Sequence, residues 1–598
     1  MDFSAIAHHA YDTFCYPINQ DELKITIQTA KDIDSVSLVW GDPFMAECAD
    51  GKNWTWKREV IPLLDRKETQ AHFLWSAVVK PPFKRCKYYF EVKSGAERKF
   101  FFEDGLFDSK DFKSDESILD EHVLFIFPWI NSCDVCSHPS WAERTVWYQI
   151  FPARFCHGEN PADPHTLLPW GKPGHTVKNN ERYGGNLRGI IDKLDYLQDL
   201  GITGLYLNPV NLSHSQHKYD TTDYLQIDPE FGTREDMTEL VQKAHAHGMR
   251  VMLDGVFNHS GWDFFAWQDV LKNRENSEYA SWYIINDFNF ADHPTDAAAN
   301  GKFFSFALTD SMPKLNTNNP QVRSYIIDVC THWVKEYDID ALRLDVANEI
   351  SHQLCTELHY AMRALKDDFF IVGEIWNHAM PWLRGNQFDS VINYPLRNAI
   401  LGFALDKTLT AKSLEHQINQ CLTMYYEQTE KVLLNQLDSH DTPRLVTKSQ
   451  SRDSAMLQLA LLFLIPGSTC IYYGTEVLLE GGQDPDCRRC MPWKEMDAGD
   501  YKTELGFMKN LIRLRKTNPA LRSMDIHFVY DESFKEDSRI LRIIKTDPES
   551  GKKIFAAFNF SGEDITLDSD KTNGRLLLSH RAEGLNLRSL GFVFLELE

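Results

Sequence analysis

Three carboxylates stand at the polar tips of three separate apolar segments of this chain: Asp345 in ALRLDVANE, Glu374 in FFIVGEIWN and Asp441 in LLNQLDSHDTPR. Each segment reads as a short buried strand, and a parallel α/β barrel presents its catalytic groups from the C-terminal ends of several such strands. Two carboxyl groups suffice to cleave a glycosidic bond, one as nucleophile or base and one, protonated, as general acid. Glu374 lies beside Ile375 and Trp376, and burial against such neighbours raises a carboxyl pKa. It is the candidate acid/base. Asp345 follows Arg343 by two residues, so both face one side of a strand. A fixed guanidinium favours an ionised carboxylate, which makes Asp345 the candidate nucleophile. Asp441, next to His440, is the candidate for binding sugar hydroxyls and stabilising positive charge. One Asp at a strand end is ordinarily a cap or turn residue. Three in the same positional class argue for a site.

The elements that would position these groups begin near Val146. Eight apolar strand candidates start at VWYQI, GLYL, RVMLDG, ALRL, FFIVG, SVI, KVLLN and STCIYYG, with helical material between them. Alternating βα units imply a parallel sheet, and eight imply a closed barrel. A doubly wound open sheet is the rival, weakened by the lack of a GxGxxG turn after the first strand. The expected fold class is therefore α/β, a (β/α)8 barrel over residues 145–522. A segment rich in Trp, Phe and Asn, about 260–312, reads as an insertion after the third strand. Loops of that length are usually functional, and its rings either build a satellite core or stack on sugar faces. Residues 1–122 alternate in the manner of an antiparallel β-sandwich, 123–144 read as a linker, and 523–598 return to a β-sandwich pattern.

The formal net charge of −23 argues against a nucleic acid or an anionic membrane surface as partner. No uninterrupted apolar run is long enough to span a bilayer; LQLALLFLIPG comes closest and ends in Pro-Gly. The N-terminus shows no basic segment followed by an apolar one, so a cytoplasmic protein is expected. The twelve cysteines read as reduced thiols. The pairs Cys133/Cys136 and Cys487/Cys490 are too far apart in sequence to be read as one zinc site, and no metal ligands are assigned.

DGVFNH (254–259), ALRLDVANE (341–349), VGEIWN (372–377) and LDSHDTPR (437–444) resemble the four main motif regions of the α-amylase family of glycoside hydrolases. MPKLN (312–316), the 373–395 segment and the N-terminal β domain resemble its neopullulanase, cyclomaltodextrinase and maltogenic amylase subgroup. That resemblance implies Asp345 as nucleophile, Glu374 as acid/base and Asp441 as transition-state stabiliser. It implies sugar contacts for His217, Tyr219, His259, Arg343, Trp376, His440 and Arg444, and a structural role for Asn258. The implied activity is retaining hydrolysis of α-1,4 bonds in cyclodextrins, maltodextrins and pullulan to maltose, glucose or panose, with transglycosylation open as a second outcome. The alternatives weighed are a non-catalytic glucan-binding protein on the same scaffold and an α-1,6- or α-1,1-specific relative. The subgroup also implies a homodimer in which the N-terminal domain covers the partner's site. No cofactor is expected to be required. Many members bind calcium near the first barrel strand, but His157 and Asn186 stand here where oxygen-rich or anionic residues are expected, leaving Glu159 and Asp163 as residual ligands.

Overall fold

A computed structural model of the chain describes residues 2–48, 54–112, 122–159, 167–171, 174–292, 294–568 and 573–597. They form two compact units, Met1–Ser137 with Leu409–Glu430, and His138–Thr408 with Lys431–Glu598.

In the first unit, Leu23–Thr29 alternates buried and half-buried residues and pairs antiparallel with Phe73–Val79. A second sheet is built on Cys86–Ser94, flanked by Ser35–Gly41 and Glu97–Phe102. Leu23, Ile25 and Ile27 from one sheet share a core with Leu38, Tyr88, Phe90 and Val92 from the other. Two differences from the sequence reading emerge. Phe125–Phe127, read as linker, is a strand paired with Cys86–Ser94. Residues 409–430, read as part of the barrel, belong to this unit: Lys412 Nζ lies 2.7 Å from Glu68 and Asn419 Nδ2 donates to the Glu68 carbonyl at 2.8 Å. Neither signal is local, because both segments are fixed by partners distant in sequence.

The second unit carries the parallel strands β1 (Val146–Ile150), β2 (Gly204–Leu207), β3 (Arg250–Gly255), β4 (Ala341–Leu344), β5 (Phe370–Gly373), β6 (Ser390–Val391), β7 (Leu434–Asn435) and β8 (Ser468–Tyr472). They follow the order β6-β5-β4-β3-β2-β1-β8-β7, and a parallel bridge between Ile392 and Leu434 joins the two ends. Trp147, Tyr206, Met252, Ala341, Phe370 and Leu434 share one buried core, so the barrel is packed rather than open. Helices between the strands carry local signals, as where Asn319 caps Pro320–Tyr337 with Pro at its first turn. In the insertion after β3, Trp267 is fully buried against Tyr283, Phe290 and Phe303. Most of the insertion's rings thus serve a satellite core, and its returning chain bridges Lys314 to His259 beside β3. The C-terminal strands join in one six-stranded antiparallel sheet. Among the described residues no helix is long and apolar enough to cross a membrane.

Candidate active site

Strand β4 ends in Arg343 and Leu344, immediately before Asp345, and β5 ends just before Glu374. Period two turns the Arg343 and Asp345 side chains to the same side, and the parallel register sets β5 beside them. The Arg343 guanidinium is fully buried. Its Nη1 donates to Asp345 Oδ1 at 2.8 Å and to Asp254 Oδ1 at 2.7 Å, while Nη2 lies 2.7 Å from Glu374 Oε2. One cation therefore fixes carboxylates from three adjacent strands. Val346, the next residue, has a left-handed backbone (φ 45°, ψ 44°), which is costly for a β-branched side chain. That conformation accompanies a bond from the Val346 N–H to Glu374 Oε2 at 3.1 Å. On its other oxygen Glu374 faces the Tyr394 hydroxyl at 3.4 Å, and the Tyr394 ring stacks on Trp376 at 3.7 Å between centroids.

The opposite wall comes from the loop after β7 and from residues 480–490. His440 Nε2 lies 3.1 Å from Asp441 Oδ2 and also meets the Tyr219 hydroxyl. Gln149, at the end of β1, sets its amide nitrogen 2.8 Å from His440 Nδ1. An amide N–H donates, so Nδ1 accepts and the ring proton sits on Nε2, facing the cleft. Tyr219 in turn donates to Asp254 Oδ2 at 3.0 Å and stacks parallel to His440. Arg488 Nη2 reaches Asp484 at 2.9 Å and Asp441 at 3.5 Å, and its Nε donates to the His440 carbonyl.

Between these walls lies a cavity of about 440 Å³, lined by Asp345, Glu374, Asp441, His217, Tyr219, His259, Trp376 and His440 among others. The structure thus brings all three candidate carboxylates and five of the candidate sugar contacts to one cleft, with Arg343 directly beneath. Arg444 is the exception and its sequence assignment is corrected. It is fully buried, donates to the backbone carbonyls of Cys487 and Tyr473, and lies over the rings of Tyr472 and Tyr473. Its work is to hold the chain beneath the cleft. The sequence reading also passed over Asp254, Asp484, Arg488 and Phe306. Asp254 lies inside a quoted motif and points from a strand end, a signal that was available. Arg488 lies between Cys487 and Cys490, where the eye goes to the cysteines.

Burial pushes Asp345 well above the usual carboxylate range, with Arg343 pulling down and the Glu374 and Asp254 charges adding to the rise. The expectation that Arg343 would lower it is reversed, because burial outweighs the pull of the guanidinium. Asp254 is raised by burial against the same pull. Desolvation deep in the cleft also raises Asp441 against Arg488 and Arg343. Burial lowers His217 and His259 to about 4 and His440 further, so all three are neutral hydrogen-bonding groups near pH 7. The site is a crowd of carboxyl groups around two guanidiniums. Burial raises Asp345, Asp254 and Asp441 together, and the neighbouring carboxylate charges add to the rise at Asp345.

Among the described residues near β1, the side chains standing where calcium ligands are expected do not fit calcium. Asn186 Oδ1 is engaged by the N–H groups of Gly158 and Gly189, its Nδ2 by the Gly158 carbonyl, and His157 Nδ1 by the Gly184 carbonyl. No free oxygen is offered by either side chain. Asp163 lies outside the described residues, and Glu159 is exposed.

Comparison with known proteins follows the same lines. Residues 149–524 match the model of the alpha amylase catalytic domain, and residues 1–131 match the alpha amylase N-terminal Ig-like domain. A cyclomaltodextrinase of Geobacillus thermopakistaniensis is 41% identical over 94% of this chain and 92% of its own. An intracellular maltogenic amylase of Bacillus subtilis is 43% identical over 87% of this chain and 85% of its own. A solved structure of a cyclomaltodextrinase covers 100% of both chains with a TM-score of 0.88 at 33% identity.

Proposed function

The chain belongs to the α-amylase family, and from that premise we propose that its cleft hydrolyses α-1,4-glucosidic bonds of cyclodextrins, maltodextrins and pullulan to maltose, glucose or panose. The observation that carries this reading is Arg343 gripping Asp345 and Glu374 from adjacent strands, with Asp441 on the facing wall. In the first step an Asp345 oxygen attacks the anomeric carbon, the bond from that carbon to the oxygen of the leaving sugar breaks, and Glu374 gives the leaving oxygen its proton. In the second, water attacks the same carbon, Glu374 takes the water's proton, and the bond to Asp345 breaks. The configuration is retained. A sugar hydroxyl arriving in place of water gives transglycosylation. Asp441, Tyr219 and His259 bind the attacked sugar, His440 donates to its hydroxyls through Nε2, and Trp376, half-exposed, supplies a stacking face on the leaving side.

A homodimer fits a preference for small or cyclic substrates. In the N-terminal unit Phe44, Phe83 and Trp129 lie 4.6, 5.8 and 5.9 Å from the Arg85 guanidinium, and all three rings are exposed. Such a patch suits a partner subunit. A cytoplasmic location is part of the same reading, supported by the relative named as intracellular. The experiment that tests the function is initial rates on β-cyclodextrin, pullulan and soluble starch at equal mass, with products resolved by chromatography. Faster cleavage of cyclodextrin, giving maltose and glucose, is expected; equal or faster cleavage of starch would sink the narrow-cleft reading. Light scattering that finds a monomer at assay concentration would remove the dimer.

A further inference from the structure

Lys314 does not itself line the cavity, yet its ammonium joins the two loops that bound it on one side. The residue lies in MPKLN, where the insertion returns to the barrel. Its backbone bridges to His259, and the flanking Pro313 and Leu315 bond to Ser260 and Asn258 at 3.1 and 3.0 Å. The side chain then continues past β3. Nζ bonds to Asn258 Oδ1, to the Glu349 carbonyl at 3.2 Å and to Glu349 Oε2 at 3.3 Å. Three oxygens from two separate loops thus meet the three donors of one ammonium. Burial lowers the Lys314 pKa, opposed by the charge of Glu349.

What those loops carry gives the contact its meaning. Asn258 precedes His259, and Val346, Asn348 and Glu349 follow Asp345; apart from Asn258, all of these line the cavity. Val346 is held in its left-handed conformation within this same loop. A strained turn persists only where its surroundings over-determine it. We propose that Lys314 is a positioning residue, whose ammonium locks the loop after Asp345 to the end of β3 and so sets the spacing between His259 and the 346–349 wall of the cleft. The effect falls on how the sugar is gripped more than on bond breaking, because Arg343 holds Asp345 and Glu374 independently of Lys314.

The inference rests on the glucan hydrolysis proposed above. Lys314→Gln removes the charge and leaves two amide donors on a shorter stem in place of three. Steady-state kinetics on β-cyclodextrin and maltotriose should show KM raised about tenfold with kcat within about threefold. Lys314→Arg keeps the charge on a planar fork that cannot match three converging oxygens, and should show a KM raised two- to fivefold. A KM for Lys314→Gln within twofold of wild type overturns the proposal, whatever happens to the Tm, since a merely structural tie would move the Tm alone. If Lys314→Gln does not fold, Lys314→Arg decides: a KM raised at least twofold supports the proposal and an unchanged one overturns it. A wild-type protein without turnover on any α-glucan would count against the reading of the cleft itself. Wild-type turnover with unchanged Lys314 variants counts against this inference alone.

Discussion

The two walls of the cleft hold their carboxylates in different ways. On the β4–β5 side, Asp345 and Glu374 hang on one fully buried guanidinium at 2.8 and 2.7 Å, with side chains 9% and 7% exposed. On the facing side Asp441 is held at 3.1 and 3.5 Å by His440 and Arg488, and its side chain is 29% exposed. The first arrangement is preorganised by a strand register that cannot shift without moving the barrel. The second rides on a loop, with room to close on a sugar. The difference fits a division of labour: groups that exchange a bond and a proton with the substrate need fixed geometry, whereas a group that stabilises developing charge can tighten as the transition state forms.

That division can be broken by substitution, starting on the rigid wall. Asp345→Asn should lower kcat by at least about 10⁴-fold, roughly 5.5 kcal/mol of barrier, with glucan binding spared when measured by calorimetry. Activity within a hundredfold of wild type would mean that Asp345 is not the nucleophile. Arg488→Met should act more mildly and elsewhere. It loosens Asp441 and frees Asp484, so KM for β-cyclodextrin should rise about tenfold, near 1.4 kcal/mol, while kcat falls less. If kcat falls more than KM rises, the facing wall is as deeply involved in the chemistry as the first. Arg444→Met sharpens the contrast from below. It leaves two buried carbonyls without donors, a cost of about 1–3 kcal/mol each. Thermal denaturation should therefore show a lower Tm, with KM staying within about threefold. A large KM change would restore Arg444 to the sugar-binding set.

The rigid wall was also the legible one. Apolar runs ending in a charged tip are local signals, and ALRLD and FFIVGE by themselves place Asp345, Arg343 and Glu374 at strand ends. The eight strands were readable for the same reason. The facing wall was legible only in part. LDSHD announced His440 and Asp441, but proximity in sequence misled at Arg444. After Pro443 the chain turns into the short helix Leu445–Ser449, and that turn aims Arg444 inward. Arg488 gave no periodic signal because it lies on an irregular loop. The left-handed Val346 and the docking of residues 409–430 on the N-terminal sheets are set by tertiary partners, which a reading of one segment at a time does not contain.

The smallest expected effect is on stability, and its sign is the informative part. Asp345 has a folded-state pKa pushed well up by burial, so the folded protein binds its proton more tightly than the unfolded chain does. By linkage, stability from this group is greatest at low pH and is lost as pH rises through the raised folded value, because folding must then bury an ionised carboxylate. Asparagine carries no such proton. Asp345→Asn should therefore melt near wild type in acid and above it at neutral and alkaline pH, by on the order of 1–3 °C for a unit of this size. Differential scanning calorimetry from pH 5 to 8 reads the gap directly. A gap that opens with pH would make the nucleophile a group whose charge is maintained at the expense of stability. A gap that closes with pH, or a variant less stable throughout, would mean that Arg343 stabilises the ionised Asp345 more than burial opposes it. The rigid wall would then owe its order to a favourable ion pair rather than to the barrel that encloses it.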